Sequence, residues 1–257
     1  MRRRRRVARW PGGTVPSVLG CALTAVFLIW LYAAGPLAPP RPGPPPVEVP
    51  AWSGLGSPLV RVRPAAALDV LATLPVKGRA PSSSYRREAF GEAWLDADRN
   101  GCDTRNDVLR RDLTDITLAG GSACVVASGQ LADPYTGHGI GFRRGGESSS
   151  AVQIDHVVAL GNAWQTGAQQ LDDAQRQSLA NDPLNLVAVD GPTNVQKSDA
   201  DAATWLPPAK AYRCQYVARQ ISVKAAYRLW VTAAERDAMG RILRDCPHQP
   251  SMESGYR

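Results

Sequence analysis

The chain is poor in the residues that build most metal and nucleophile sites. Its 257 residues hold only three histidines and five cysteines. No Cys-x-x-Cys or His-x-x-x-His spacing occurs, so no zinc-finger or zinc-protease ligand pattern is present. No internal repeat is visible, and a composition of 44% hydrophobic and 21% charged residues excludes collagen, coiled coil and wholesale disorder. Acidic residues are missing from the N-terminus, where Arg2 to Arg6 and Arg9 are the only charges before Arg41. Those six arginines account for most of the net charge of +7 and leave the remainder of the chain at +1. A global basic field for holding nucleic acid is therefore absent.

Residues 15–37 form a run of 23 uncharged residues, close to the ~20 needed to cross a bilayer as a helix. Arginines ahead of such a run keep the N-terminus in the cytoplasm and send the rest outward, so residues 1–35 read as an export signal or membrane anchor. Cuts after Gly35 or Ala38 would place Pro36 or Pro39 just past the bond, and both cleavage and retention as an anchor stay open. Residues 36–50 hold eight prolines and read as an extended spacer. Residues 51–80 are a poorly defined lead-in with one short helix near 65–74. Residues 81–247 form the main domain and 248–257 a tail.

Within that domain, apolar spacing predicts a helix over 85–95, strands over 123–131 and 139–143 joined as a hairpin, further strands over 152–158 and 186–189, and a helix over 172–180. The C-terminal part reads as two helices, 209–227 and 232–245, the second opened by a Thr232 to Glu235 capping box. Trp164 and Trp205 read as core. Four cysteines fall in the exported part, an even number in an oxidising compartment, which suggests disulfides. Of three pairings, Cys102 with Cys124 and Cys214 with Cys246 join neighbouring elements and are the expected ones.

Histidine chemistry has to involve His138, His156 or His248. His138 sits in a glycine-rich turn and His248 in the tail, whereas His156 follows Asp155 inside a strand-like run. Neighbouring strand residues point to opposite faces, so something on each side must satisfy the pair. About thirty residues later come Asn185 in Asn181-Asp182-Pro183-Leu184-Asn185, a strand, and then Asn194-Val195-Gln196-Lys197 at a helix start.

In this order of Asp155-His156, Asn185, Asn194 and Lys197 the chain resembles the HNH (His-Me finger) endonucleases, and within them the exported actinobacterial group related to the C-terminal domain of GmrSD restriction enzymes. The similarity extends through Asn100-Gly101-Cys102-Asp103-Thr104-Arg105-Asn106-Asp107 and Trp205-Leu206-Pro207-Pro208, covering roughly residues 80–247. It implies an α+β fold with a ββα-metal core, here with an added β-hairpin and C-terminal helices braced by disulfides. It implies His156 as general base, Asp155 and Asn194 as ligands of one magnesium or manganese ion, and Asn185 as the residue that pins the histidine loop. Lys197 would contact phosphate, and Arg105 and the Arg143-Arg144 pair would line a DNA cleft. The implied activity is metal-dependent cleavage of DNA, or also RNA, with little sequence specificity, by a monomer held or released outside the membrane.

A second metal pattern lies upstream. Asp96, Asp98 and Asn100 fall at calcium-loop positions one, three and five, Gly101 at six, Cys102 at seven and Asp107 at twelve. The simpler reading is an Asx-rich turn held by Cys102. The rival function is a non-catalytic, calcium-stabilised extracellular binding module. Every motif position holds a chemically competent residue, which favours the enzyme.

Overall fold

The computed structural model describes residues 59–145 and 147–256. The arginine cluster, the apolar run and the proline spacer lie outside the described residues. Among those described, no helix is long and apolar enough to cross a membrane.

The architecture is α+β, with three small antiparallel sheets and seven α-helices among the described residues. Strand β1 (Val60–Ala66) leads into helix α1 (Ala67–Thr73) and pairs antiparallel with the last strand, β7 (Pro250–Ser254), Val62 standing opposite Met252. The stretch read as a tail is therefore structural. Leu71 and Leu74 from the lead-in enter the main core as well. The helix expected over 85–95 reduces to one 3-10 turn, Arg87–Phe90, because the chain turns left-handed at Gly91 (φ 73°) and again at Trp94 (φ 64°).

Helix α2 (Thr104–Asp112) starts where the Asp103 carboxylate accepts from Asn106 N at 2.8 Å, the ordinary cap for free amides at a helix start. It feeds a three-stranded meander of β2 (Leu113–Leu118), β3 (Val126–Ala132) and β4 (Gly139–Arg143). The hairpin of β3 and β4 matches the expectation, and β2 is an addition to it. Strand β5 (Val152–His156) pairs antiparallel with β6 (Leu186–Asp190), His156 opposite Leu186 and Asp155 opposite Val187.

Between these two strands run α3 (Leu160–Gln165) and α4 (Asp173–Asn181), the latter opened by an Asp172 to Gln175 capping box. Helix α5 (Gly191–Lys197) follows β6 directly, with Pro192 in its first turn and Asp190 as cap. Helices α6 (Arg213–Ala226) and α7 (Ala233–Arg244) complete the main core, α7 opening on the expected Thr232 box.

The β5–β6 sheet is buried on both faces. Val152, Ile154, Leu186 and Ala188 join a core with Leu109, Val126 and Phe142 under the meander. Val187 and Val189, on the opposite face, join the helical core of Leu179, Tyr216, Ile221 and Met239. This two-sided burial fixes the strand register, since a shift by one residue would exchange the faces.

Both disulfides form as expected. Cys102–Cys124 (Cα separation 5.2 Å) ties the loop before α2 to the end of the β2–β3 connection, and Cys214–Cys246 (6.4 Å) joins the start of α6 to the end of α7. The second closes a loop with a sequence separation of 32, for which chain entropy alone gives about 3–4 kcal/mol of stabilisation. Replacing both cysteines by serine should lower the unfolding free energy by about that amount in urea titrations. An unchanged midpoint would contradict the bracing role.

Candidate active site

Strand alternation sends the Asp155 and His156 side chains to opposite faces of the buried sheet. Asn185, immediately before β6, stitches the two strand ends together. Its Oδ1 accepts from Val158 N at 2.8 Å, its Nδ2 donates to Val158 O at 3.3 Å, and its own carbonyl accepts from Val157 N at 2.8 Å. Asn185 is fully buried, so its amide is committed to holding the turn after His156.

Two buried arginines clamp the turn that carries Asn185 into β6. Arg219 donates to the carbonyls of Pro183, Leu184 and Leu186 at 2.7–2.8 Å, and Arg111 donates to Pro183 O (2.9 Å) and Leu186 O (2.7 Å). Asp112 balances the pair, facing Arg111 at 2.6 Å and accepting from Ala188 N at 2.8 Å. Tyr227 Oη adds a bond to Asp182 at 2.7 Å.

On one face of the sheet, Asp155 Oδ1 accepts from Lys197 Nζ at 2.9 Å and Oδ2 takes a short hydrogen bond from Tyr135 Oη. Lys197 is fully buried and also donates to His156 O at 2.9 Å. The sequence reading of Lys197 as a phosphate contact is thus corrected: three residues along α5 from Asn194, it reaches inward and neutralises Asp155. Asn194 donates from Nδ2 to Gln153 Oε1 at 2.9 Å. Burial pushes the Asp155 carboxyl above the ordinary aspartate range, against the pull of Lys197 and Tyr135. Burial likewise raises Tyr135, with the Asp155 charge adding to it. An aromatic shell of Tyr135, Trp205, Tyr212 and Tyr216 closes this face.

These residues do not form a cation site as placed. A magnesium or manganese ion at Asp155 would have to displace the Lys197 ammonium, and among the described residues no group of three or more His, Cys, Asp or Glu side chains is placed to hold a metal. The calcium-loop pattern fares the same way. Asp96 accepts from Asn100 N and Gly101 N, Asp98 from Asn100 N, and Asn100 Oδ1 from Cys102 N, so the loop's oxygens serve its own amides as Asx turns, with Gly101 at φ 88°. Asp107 Oδ1 accepts from Asn100 Nδ2 at 3.2 Å, while Oδ2 is buried without a partner.

On the other face, His156 Nε2 lies 2.9 Å from Ala180 O, one of the carbonyls left free at the end of α4. A carbonyl only accepts, so Nε2 carries the proton and Nδ1 presents its lone pair. Nδ1 makes no hydrogen bond to a described residue and is not among the buried unpartnered atoms. It opens towards a cavity of about 210 Å³ lined by Arg87, Glu88, Phe90, Trp94, His156 and Leu160, among others. Burial lowers the imidazole to about 4, outweighing the Ala180 bond, with Arg87 and Lys197 lowering it further. His156 is therefore neutral at physiological pH, as a base must be.

Trp94 lies nearly parallel to the imidazole, with planes 19° and centroids 6.5 Å apart, and the Arg105 guanidinium sits 5.9 Å from the indole centroid. Arg144, a neighbour of Arg105, is instead tied to Val126 O and Asn106 Oδ1. His138 and His248 are exposed and take no part. The structure thus brings Asp155, His156, Asn185 and Lys197 to one sheet end, and places Arg105 at Trp94 on the His156 side. Sequence reasoning missed Arg87, Trp94, Arg111, Tyr135 and Arg219. A signal existed for the first two, basic and aromatic residues interleaved in Tyr85-Arg86-Arg87-Glu88-Ala89-Phe90-Gly91-Glu92-Ala93-Trp94, whereas the other three become meaningful only once the fold packs them.

Residues 103–242 match the family described as GmrSD restriction endonucleases, C-terminal domain, and the chain belongs to that family. It is also similar to a protein of Arthroderma benhamiae described as an uncharacterized secreted protein, with 37% identity over 222 residues, covering 86% of this chain and 98% of the relative. No solved structure matches it.

The Asp155–Lys197 pair makes a specific demand. Replacing Lys197 by Met leaves a buried carboxylate unpaired and should cost about 3–5 kcal/mol in urea unfolding, with Asp155→Asn in the same chain restoring much of the loss. A cost under about 1 kcal/mol, the range of exposed pairs, would contradict the assignment.

Proposed function

We propose that this protein is an exported endonuclease that hydrolyses phosphodiester bonds of DNA, or also of RNA, with His156 as general base. One observation carries the reading. His156 is held as the Nε2–H tautomer by a helix-end carbonyl, neutral through burial, with Nδ1 opening on a cavity beside Arg87. Membership in a family of restriction endonuclease domains supports nucleic acid as substrate, and likeness to a protein described as secreted supports action outside the cell. The finer HNH assignment rests on Asp155-His156, Asn185 and Asn194 in order, carried by two antiparallel strands followed by helix α5.

In the reaction, a water in the cavity gives its proton to His156 Nδ1 as its oxygen bonds to phosphorus. The bond from phosphorus to the departing oxygen breaks, and that oxygen takes a proton from solvent. Arg87 lines the cavity and Arg105 stands against Trp94 beside it, and these two basic groups meet phosphate charge; among the described residues Arg105 makes no ion pair of its own. Asn185, Arg111 and Arg219 keep the imidazole in place and never touch substrate. Because Asp155 and Asn194 as placed form no cation site, no step here runs through magnesium or manganese.

Plasmid DNA incubated with the protein in magnesium or manganese buffer should be nicked, and His156→Ala should slow nicking by about 10²–10⁴-fold, the usual worth of a positioned base. The rate should hold as pH falls below 6.5 and drop only towards about 4, where His156 takes up its proton. Nicking that survives His156→Ala, or none by the wild type, would overturn the reading in favour of a non-catalytic binding module.

A further inference from the structure

The cavity beside His156 says more about the substrate than the base does. The imidazole is only 9% exposed, so a phosphodiester reaches Nδ1 by entering the cavity. At about 210 Å³ the cavity is smaller than the ~300–1,000 Å³ pockets that enclose drug-sized ligands, so it takes one phosphate and the groups next to it. Its rim sets Arg87 beside Glu88 and Glu92. That mixed charge suits one phosphate next to Arg87.

Trp94 lines the same cavity in an unusual backbone state. A bulky residue at φ 64° is a genuine outlier, and such strain gathers where a side chain has to be aimed. The indole lies nearly parallel to the imidazole and has the Arg105 guanidinium within 5.9 Å, and it is only half-buried. Among the described residues Arg105 makes no hydrogen bond or ion pair, and burial together with the nearby Arg144 charge lowers its hold on its proton, against the pull of the Asp103 carboxylate. A half-buried guanidinium beside a second positive charge gains from an anion. An aromatic plane with arginine against it is the surface on which unpaired bases stack, without regard to sequence.

We propose that Trp94, with Arg105, is a stacking platform that selects single-stranded nucleic acid, seating the base next to the scissile phosphate while His156 meets the phosphate. The proposal rests on the nuclease reading and deepens it, since a duplex would first have to extrude a nucleotide and lose its stacking.

The test uses the full chain with a fluorescein-labelled single strand of twelve nucleotides and a hairpin duplex of matching composition. Affinity is read by fluorescence anisotropy in EDTA and cleavage on gels in magnesium or manganese. The single strand should bind and be cut at least about tenfold better than the hairpin, the worth of one stacked base. Trp94→Ala should erase most of that preference, and Trp94→Phe, which keeps an aromatic face, should restore it. Because Trp94 also packs against the core under the meander, thermal melts of both variants separate misfolding from lost stacking, and the Phe variant decides the case if the Ala variant unfolds. Equal handling of strand and hairpin, or a preference untouched in a folded Trp94→Ala chain, would overturn the platform while leaving the nuclease reading intact. Trp94-dependent binding of the single strand with no cleavage would uphold the platform and overturn the nuclease reading. Neither binding nor cleavage would overturn both.

Discussion

The β5–β6 sheet is buried on both faces, and the rest of the site follows from that constraint. Two adjacent ionisable residues on a buried strand must point to different cores, and each must be satisfied there without help from bulk water. Asp155 meets a lysine and a tyrosine on the helical side; His156 meets the end of α4 on the other. The split separates roles that a surface dyad would mix. Asp155 becomes an internal anchor whose charge is matched by Lys197. His156 becomes a neutral imidazole with one nitrogen committed and the other open.

Holding that arrangement falls to groups that never reach the cavity. The turn from Asp182 to Leu186 makes the return into β6, and its carbonyls would be costly orphans inside the core. Arg111 and Arg219 supply guanidinium donors to them, and Asn185 fills the remaining gap to the backbone after His156. Charged donors to backbone oxygens are stronger than neutral ones, so this turn is a rigid support for the strand end that carries His156. The Cys102–Cys124 bond and the Asx turns around it hold the loop leading into α2, which carries Arg105 and Arg111.

Much of this was legible in the chain. The helix after Asp172, the capping box at Thr232, the β3–β4 hairpin, both strands of the buried sheet and both disulfides follow from local patterns whose physics is local. That Asp155-His156 and Asn185 meet at one sheet end follows from the order in the chain, because strand alternation and turn pinning are short-range effects. What escaped depends on distant packing. Helical spacing over 85–95 was overruled by left-handed turns at Gly91 and Trp94 that aim the indole into the cavity, and β7 gains its meaning only by pairing with β1. Lys197 carries the same charge whether it faces phosphate or Asp155, and only the burial of α5 against the sheet decides between them.

The central claim is that His156 is a neutral base presented through Nδ1. Nitrogen-15 NMR of the imidazole, assigned by the signal lost in His156→Gln, tests it directly across pH. The account predicts a neutral Nε2–H tautomer that persists below pH 6.5 and takes up a proton only near 4. An Nδ1–H tautomer, or protonation close to the ordinary histidine value of 6.5, would contradict it.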